Sequence, residues 1–321
     1  MNLREILFFV ARRLVALVVL LAIVSFTVFS LLYIAPGSAE QILLGTRPAT
    51  PQTIQAIRAQ YHLDDPFLEQ YGRWAAHAAT LDFGVSIRTN EPVLSAIRQR
   101  LGLTLELGGM AFVFTMLFGI PLGVLAAVRR QTNVDRGIVA LSVVGISAPA
   151  FASGILLLYV FAVELGWFPV FGPGAGLIGR VHHLALPAIT LALTAMGLVV
   201  KLTRAAVIES LDQDFVTFAR ARGLSRARVL TTYVLRNSLV PVITAGGLLL
   251  GYMLAGAVLV EVTFALPGVG SLLVDSITSK DIPTVQGVVI LIAIVVVAAN
   301  LLADLVYIAV DPRIGFGRSR A

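Results

Sequence analysis

The recurrence of apolar runs long enough to cross a bilayer constrains this chain more than any other feature. A helix needs about 20 mostly apolar residues to traverse the hydrocarbon core. Six stretches qualify: Leu14–Ile34, Leu103–Val128, Ile138–Val163, Leu184–Leu202, Val240–Phe264 and Val288–Val310. Of the 321 residues, 58% are hydrophobic and only 13% charged, whereas an ordinary soluble domain carries about 25% charge. A water-soluble fold of this length could not hide so much apolar surface. The expected class is an all-α integral membrane protein with six transmembrane helices in a lipid bilayer. The first run exceeds the apolar core of about 7–15 residues typical of a secretory leader, so it is read as an uncleaved span.

Six spans put both termini on one side. Sixteen of the 24 lysines and arginines fall on that side and eight on the other. The excess predicts cytoplasmic termini in a cytoplasmic (inner) membrane. The same rule accounts for the net charge of +6 without a nucleic-acid partner. There is no cysteine, which excludes disulfides, thiol catalysis and cysteine-ligated metals.

Four segments follow from this layout. Residues 1–34 are a tail and first span, and residues 35–100 are an extracytoplasmic lobe. Residues 101–311 are a core with the other five spans and a cytoplasmic loop at 205–239, and residues 312–321 are a cytoplasmic tail. Within the lobe, TPQTIQAIRAQYHL and LEQYGRWAAHA have the spacing of two short helices. ALPGVGSLLVDSI, residues 265–277, is apolar but too short to cross, which suits a re-entrant or surface helix on the outer face. Pro121 and Pro149 lie inside predicted spans and are expected to kink them.

The loop between the fourth and fifth spans is unusual. Residues 214–241 read DFVTFARARGLSRARVLTTYVLRNSLVP. The first part favours a helix ending at Gly223, a glycine suited to a left-handed cap. Ser225 can cap a second helix, and Pro241 would disturb the start of the next span. Two short helices meeting at a tight turn are expected. Arg220, Arg222, Arg226 and Arg228 surround it, and Ala219 and Ala221 keep it slim. One reading is a positive loop that only fixes topology. The other is a docking knob for a cytoplasmic partner, because topology alone does not require a capped helix pair.

ARARG, ending at Gly223, with Pro241 downstream, resembles the EAA loop of type I ABC importer permeases. Closer still is the similarity to the B-type permease of the dipeptide, oligopeptide and nickel family. Thr217, Phe218 and Ala219 stand where the general pattern has Glu-Ala-Ala. The glutamate is absent and the proline lies further on. The similarity extends over nearly the whole chain, through LDDPFLEQYGRW (63–74), LDFGVSIRTNEPV (81–93), LPAITLAL (186–193), VEVTFALPGVGSLLVDSI (260–277), DIPTVQG (281–287) and NLLADLVYIAVDPRI (300–314). It implies a permease subunit of an ATP-driven importer that moves short peptides by alternating access, paired as a heterodimer with a second homologous permease. Two P-loop ATPase subunits, carrying ATP and Mg2+, would bind below, and an extracytoplasmic solute-binding protein would deliver above. Thr217, Phe218, Ala219, Arg220, Ala221, Arg222, Gly223 and Ser225 would form the ATPase-coupling surface.

The chain itself has no phosphate-binding loop of the G-x-x-x-x-G-K-[ST] kind. Its only lysines, Lys201 and Lys280, precede Leu202 and Asp281. No catalytic residue, cofactor or metal site is expected in it, and it is not read as an enzyme. His182 and His183 are adjacent, so they do not converge on one ion. Gly247 and Gly251 form a small-residue face, used either for packing within the bundle or against a partner permease. Glu106, Glu261, Asn300 and Asp304 are candidate polar groups in or near spans, and Glu261 could line the outer mouth or a gate. The competing reading is an ion-coupled secondary transporter or channel acting without an ATPase. Neither an acid–base relay nor an inverted repeat supports it.

Overall fold

The computed structural model describes residues 3–34, 37–44 and 50–310. The expected tail at 312–321 and the side chain of Asp304 lie outside the described residues. Helices account for most of the described residues: α1 (Leu3–Ile34), α2 (Ala39–Leu44), α3 (Pro51–Tyr61), α4 (Phe67–Ala79), α5 (Val93–Val128), α6 (Asn133–Ser147), α7 (Ala150–Leu157), α8 (Gly176–Leu211), α9 (Asp214–Ala221), α10 (Arg226–Arg228), α11 (Leu235–Thr263), α12 (Val269–Thr278) and α13 (Ile282–Val310). Among the described residues five helices are long and apolar enough to cross a membrane, within α1, α5, α8, α11 and α13.

The third expected span, 138–163, is not one straight helix. Asn133–Ser147 and Ala150–Glu164 meet at a bend of 108°. Pro149 supplies the reason. It has no N–H to donate, and its ring drives the preceding residue out of the helical region. Ala148 is accordingly extended at φ −76°, ψ 126°. The second half then widens into a π-helix over Leu158–Glu164. Pro121 and Pro187, by contrast, lie inside continuous helices, α5 and α8.

The chain forms two units. One comprises Glu106–Phe264 and the stretch from Ala298 onward; the other comprises Asn2–Leu105 and Ala265–Val297. The second unit is larger than the segment 35–100, since it takes in α1, α12 and the start of α13.

Local chemistry explains its short helices. Thr50 accepts the Thr53 amide at 3.1 Å, and Pro51 follows at the first helical position; together they start α3. Phe29 of α1 packs against Phe67, Tyr71 and Trp74 of α4, with ring centroids 5.4–5.7 Å apart. Asp281 joins two distant segments. It is buried and accepts from Ser86 Oγ at 2.5 Å, the Ile87 amide at 3.1 Å and Thr284 Oγ1 at 2.8 Å. LDFGVSIRTNEPV and DIPTVQG thus meet around one carboxylate. A few residues on, a methyl group on Gly287 would sit 2.7 Å from a Val93 methyl and 3.0 Å from Phe83, so α13 passes too close there for any side chain.

In the first unit, α8 is the central helix, packed against α6, α7 and α11. Small residues permit the approach. A Cβ on Gly197 would meet the Ser142 carbonyl at 2.5 Å, and one on Gly123 would meet Thr203 at 2.6 Å.

Candidate functional site

The α9 turn combines a buried face with an exposed one. Val216 and Ala219, one helical turn apart, are buried with Ala127 of α5, Val207 of α8, and Val229 and Val234. Burying a valine side chain is worth about 1.5–3 kcal/mol, so this contact seats the short helix firmly on the ends of the longer ones. The opposite face is open. Thr217, Phe218, Arg220, Ala221, Arg222, Gly223 and Ser225 are all exposed, and Phe218 shows 69% of its surface.

The turn closes by backbone hydrogen bonds of the Schellman type. The Gly223 amide donates to the Arg220 carbonyl at 2.9 Å, and the Leu224 amide to the Ala219 carbonyl at 3.3 Å. Gly223 takes φ +79°, a left-handed conformation that favours glycine. Ser225 then caps the next helix by accepting the Arg228 amide at 3.4 Å.

The helix that starts after Ser225 is not a separate short piece. It continues from α10 through a π-helical stretch, Val229–Val234, into α11, and Pro241 lies within α11. The expected pair of short helices is therefore one short helix, α9, and the extended start of a long one. Wider turns free backbone groups that side chains can take up; Thr231 Oγ1 donates to the Ala227 carbonyl at 2.9 Å, and Asn237 to the Tyr233 carbonyl at 2.9 Å.

Arginines around α9 divide by role. Among the described residues, Arg220, Arg222, Arg226 and Arg228 make no ion pair within the chain. Arg204 is engaged: its Nε and Nη2 bind Asp135 Oδ1 and Oδ2 at 2.6 and 2.8 Å. Arg130 pairs with Asp212 at 3.1 Å. These pairs fasten the α5–α6 turn to the end of α8 that carries α9. Sequence reasoning missed them. Thr132 followed by Asp135 has the spacing of a capping box, and Thr132 does accept the Asp135 amide, at 3.5 Å. No local signal pointed to Arg204.

Other candidates sit elsewhere. Glu261 is completely buried, so in this conformation it does not line an open mouth: its position on α11 faces the interior. Gly247 belongs to packing within the chain, since a Cβ there would lie 2.0 Å from that of Ala303 on α13. Gly251, one turn on, is buried. Glu106 pairs with Arg180 at 3.2 Å. His182 and His183 bond to the carbonyls of Trp167 and Gly172 at 2.9 and 3.0 Å. Among the described residues no group of three or more His, Asp or Glu is placed to hold a metal ion.

Long apolar helices, with a small-residue turn presented at the end of the central one, fit the class of polytopic membrane proteins. Residues 119–316 match the family described as binding-protein-dependent transport system inner membrane component, and residues 6–108 match its N-terminal companion. A putative peptide transport system permease protein of Brucella abortus (strain 2308) is 37% identical over 310 residues, covering 96% of this chain and 98% of that protein. The glutathione transport system permease protein GsiC of Escherichia coli (strain K12) is 37% identical over 308 residues, covering 96% and 99%. The methionine ABC transporter MetNI in an inward-facing conformation has a similar fold, with TM-score 0.57 and 17% identity over 67% of this chain and 96% of that one. The chain belongs to the family of binding-protein-dependent transport system inner membrane components. It is a multi-pass inner membrane protein, and the resemblance to type I ABC importer permeases is borne out.

Proposed function

We propose that this chain is one half of a heterodimeric permease that imports short peptides by alternating access. The substrate class rests on the relatives: 37% identity along 96% of the chain to proteins named for peptide and glutathione transport. The coupling role rests on one observation, the exposed face of α9 carried on a buried one.

In this reading α9 lies on the cytoplasmic side, as do both termini. Phe218, Ala221 and Gly223 enter a groove on an ATPase subunit, and Arg220 and Arg222 meet acidic groups at its rim. Two such subunits hydrolyse ATP with Mg2+ and supply the energy. Their closure pushes on α9, which passes the force to the ends of α5, α8 and α11 through Val216 and Ala219. Rigid-body motion of packed helices then opens a path to one side at a time. A solute-binding protein delivers peptide on the other face. Gly251 and Glu261 remain candidates for the contact with the second permease and for gating in another conformation.

The test is co-purification from the native locus in mild detergent, followed by reconstitution. Recovery of a second permease and two P-loop ATPases, with uptake that requires ATP and the solute-binding protein, supports the reading. A chain that purifies alone and moves solute down an ion gradient in liposomes would overturn it in favour of a secondary transporter.

A further inference from the structure

Residues 165–179 read LGWFPVFGPGAGLIG. They run from the π-helical end of the bent pair through the first turn of α8, at the end of α8 remote from α9. A water-facing connection is expected to be polar and charged. This one has no charged residue between Glu164 and Arg180. It is also strongly exposed: Trp167 shows 60% of its surface, Phe171 73%, Leu177 83% and Ile178 86%.

The exposed apolar surface does not stop at the loop. It continues onto the preceding helix through Tyr159 and Val163 and onto α8 through Val181. Those helical residues lie on elements that cross or enter the bilayer. Four glycines and two prolines at 166–176 make the backbone irregular, and irregular backbone is not tolerated against bare hydrocarbon, because its polar groups go unpaired. Here the loop is tied down. The Trp167 amide donates to the Phe161 carbonyl at 2.9 Å. His182 Nε2 and His183 Nδ1 bond to the carbonyls of Trp167 and Gly172. The Trp167 ring packs on Phe161, with centroids 5.7 Å apart. The fold thus provides an ordered, uncharged, aromatic loop at the edge of a membrane helix. Aromatic residues collect at that depth because one end of the ring is apolar and the other can meet water.

We infer that residues 165–178 form a membrane-interface anchor, lying in the headgroup layer with Trp167, Phe171, Leu177 and Ile178 in contact with lipid. The occupant of this surface is phospholipid. A protein partner fits less well, since an interface normally carries a polar rim and the only side-chain hydrogen-bonding group in the loop is the Trp167 indole N–H. The anchor fixes the height of the bent Ala150–Glu164 segment, which Pro149 has cut off from the direct support of α6.

The chain has two tryptophans, Trp74 and Trp167, which makes the test direct. The full-length Trp74→Phe variant is reconstituted in liposomes of phosphatidylcholine and phosphatidylglycerol, and Trp167 emission is recorded. Expected are a blue-shifted maximum and a clear loss of emission with phosphatidylcholine brominated near the headgroup end of its acyl chains. The loss should be smaller with bromine near the methyl end, and smaller still with aqueous iodide on both sides. Strong iodide quenching without lipid quenching would overturn the anchor and leave a water-exposed loop. Quenching by neither would overturn it in favour of a Trp167 ring enclosed within the chain itself. Should Trp74→Phe fold poorly, because Trp74 packs on Phe29, the difference between wild type and Trp167→Phe reads the same signal.

Discussion

The Leu224 amide donates to the Ala219 carbonyl, five residues back, at 3.3 Å. The bond spans the turn and puts Gly223 at its apex with φ +79°. A Cβ on Gly223 would meet nothing within 4 Å. Replacing it therefore strains the backbone and crowds whatever docks outside, but clashes with nothing in the chain. A non-glycine residue in this conformation costs roughly 1–2 kcal/mol. Gly223→Asn, which tolerates the left-handed region, should retain most ATP-driven uptake. Gly223→Val should lose it while still inserting in the membrane. Equal uptake by the two variants would show that the backbone conformation is not what matters.

The two faces of α9 should separate by measurement. Phe218→Ala removes an exposed ring, so thermal stability in detergent should stay within about 0.5 kcal/mol of wild type. Affinity for the ATPase subunits should fall by about 2 kcal/mol, or roughly 30-fold, as for a central interface residue. Val216→Ala should do the reverse and lower stability first. A Phe218→Ala protein that binds its ATPases normally would remove this face from the coupling surface.

Arg204 and Asp135 form a two-pronged pair in which the Asp135 side chain is 5% exposed. Asp135→Asn leaves the guanidinium without a countercharge; because the Arg204 side chain is 30% exposed, the cost should fall below the about 3–5 kcal/mol of a fully buried pair. The double variant Asp135→Leu with Arg204→Met should recover part of that loss. Aggregation temperature of the solubilised protein reads both. If Asp135→Asn is as stable as wild type, the pair does not hold the α5–α6 turn to α8.

Asp281→Ala should loosen the second unit. It strips an acceptor from Ser86, Ile87 and Thr284, and each buried group left unpaired costs about 1–3 kcal/mol. Faster proteolysis within 83–92 in membrane vesicles is expected, with Asp281→Asn intermediate. Unchanged cleavage would mean that this network is not what orders the segment.

Gly247→Leu tests the approach of α11 to α13. Overpacking of this kind costs about 1–3 kcal/mol; here the Ala303 methyl is in the way. The compensating change Ala303→Gly should restore thermal stability in part. No rescue would place the damage of Gly247→Leu elsewhere, for instance at a second permease.

Much of this protein was decided locally and could be read locally. Apolar runs specify where helices cross, because a backbone in hydrocarbon must satisfy its own hydrogen bonds and only a helix does so within one segment. Thr50-Pro51 starts α3, and Gly223 ends α9, for reasons contained in a few neighbouring residues. The exposed α9 turn was legible too, since ARARG combines small residues with a glycine that caps the helix at φ +79°. What the tertiary structure alone decided involves groups far apart in the chain. Nothing near Asp135 in sequence names Arg204, and nothing near Ser86 names Asp281. Glu261 could have faced a pore, yet it is completely buried in the folded chain. Pro149 and Pro121 look alike as letters, but the first breaks its helix and the second sits in an unbroken one. A proline removes one hydrogen bond in either place, and the surrounding packing determines whether the helix carries on past it.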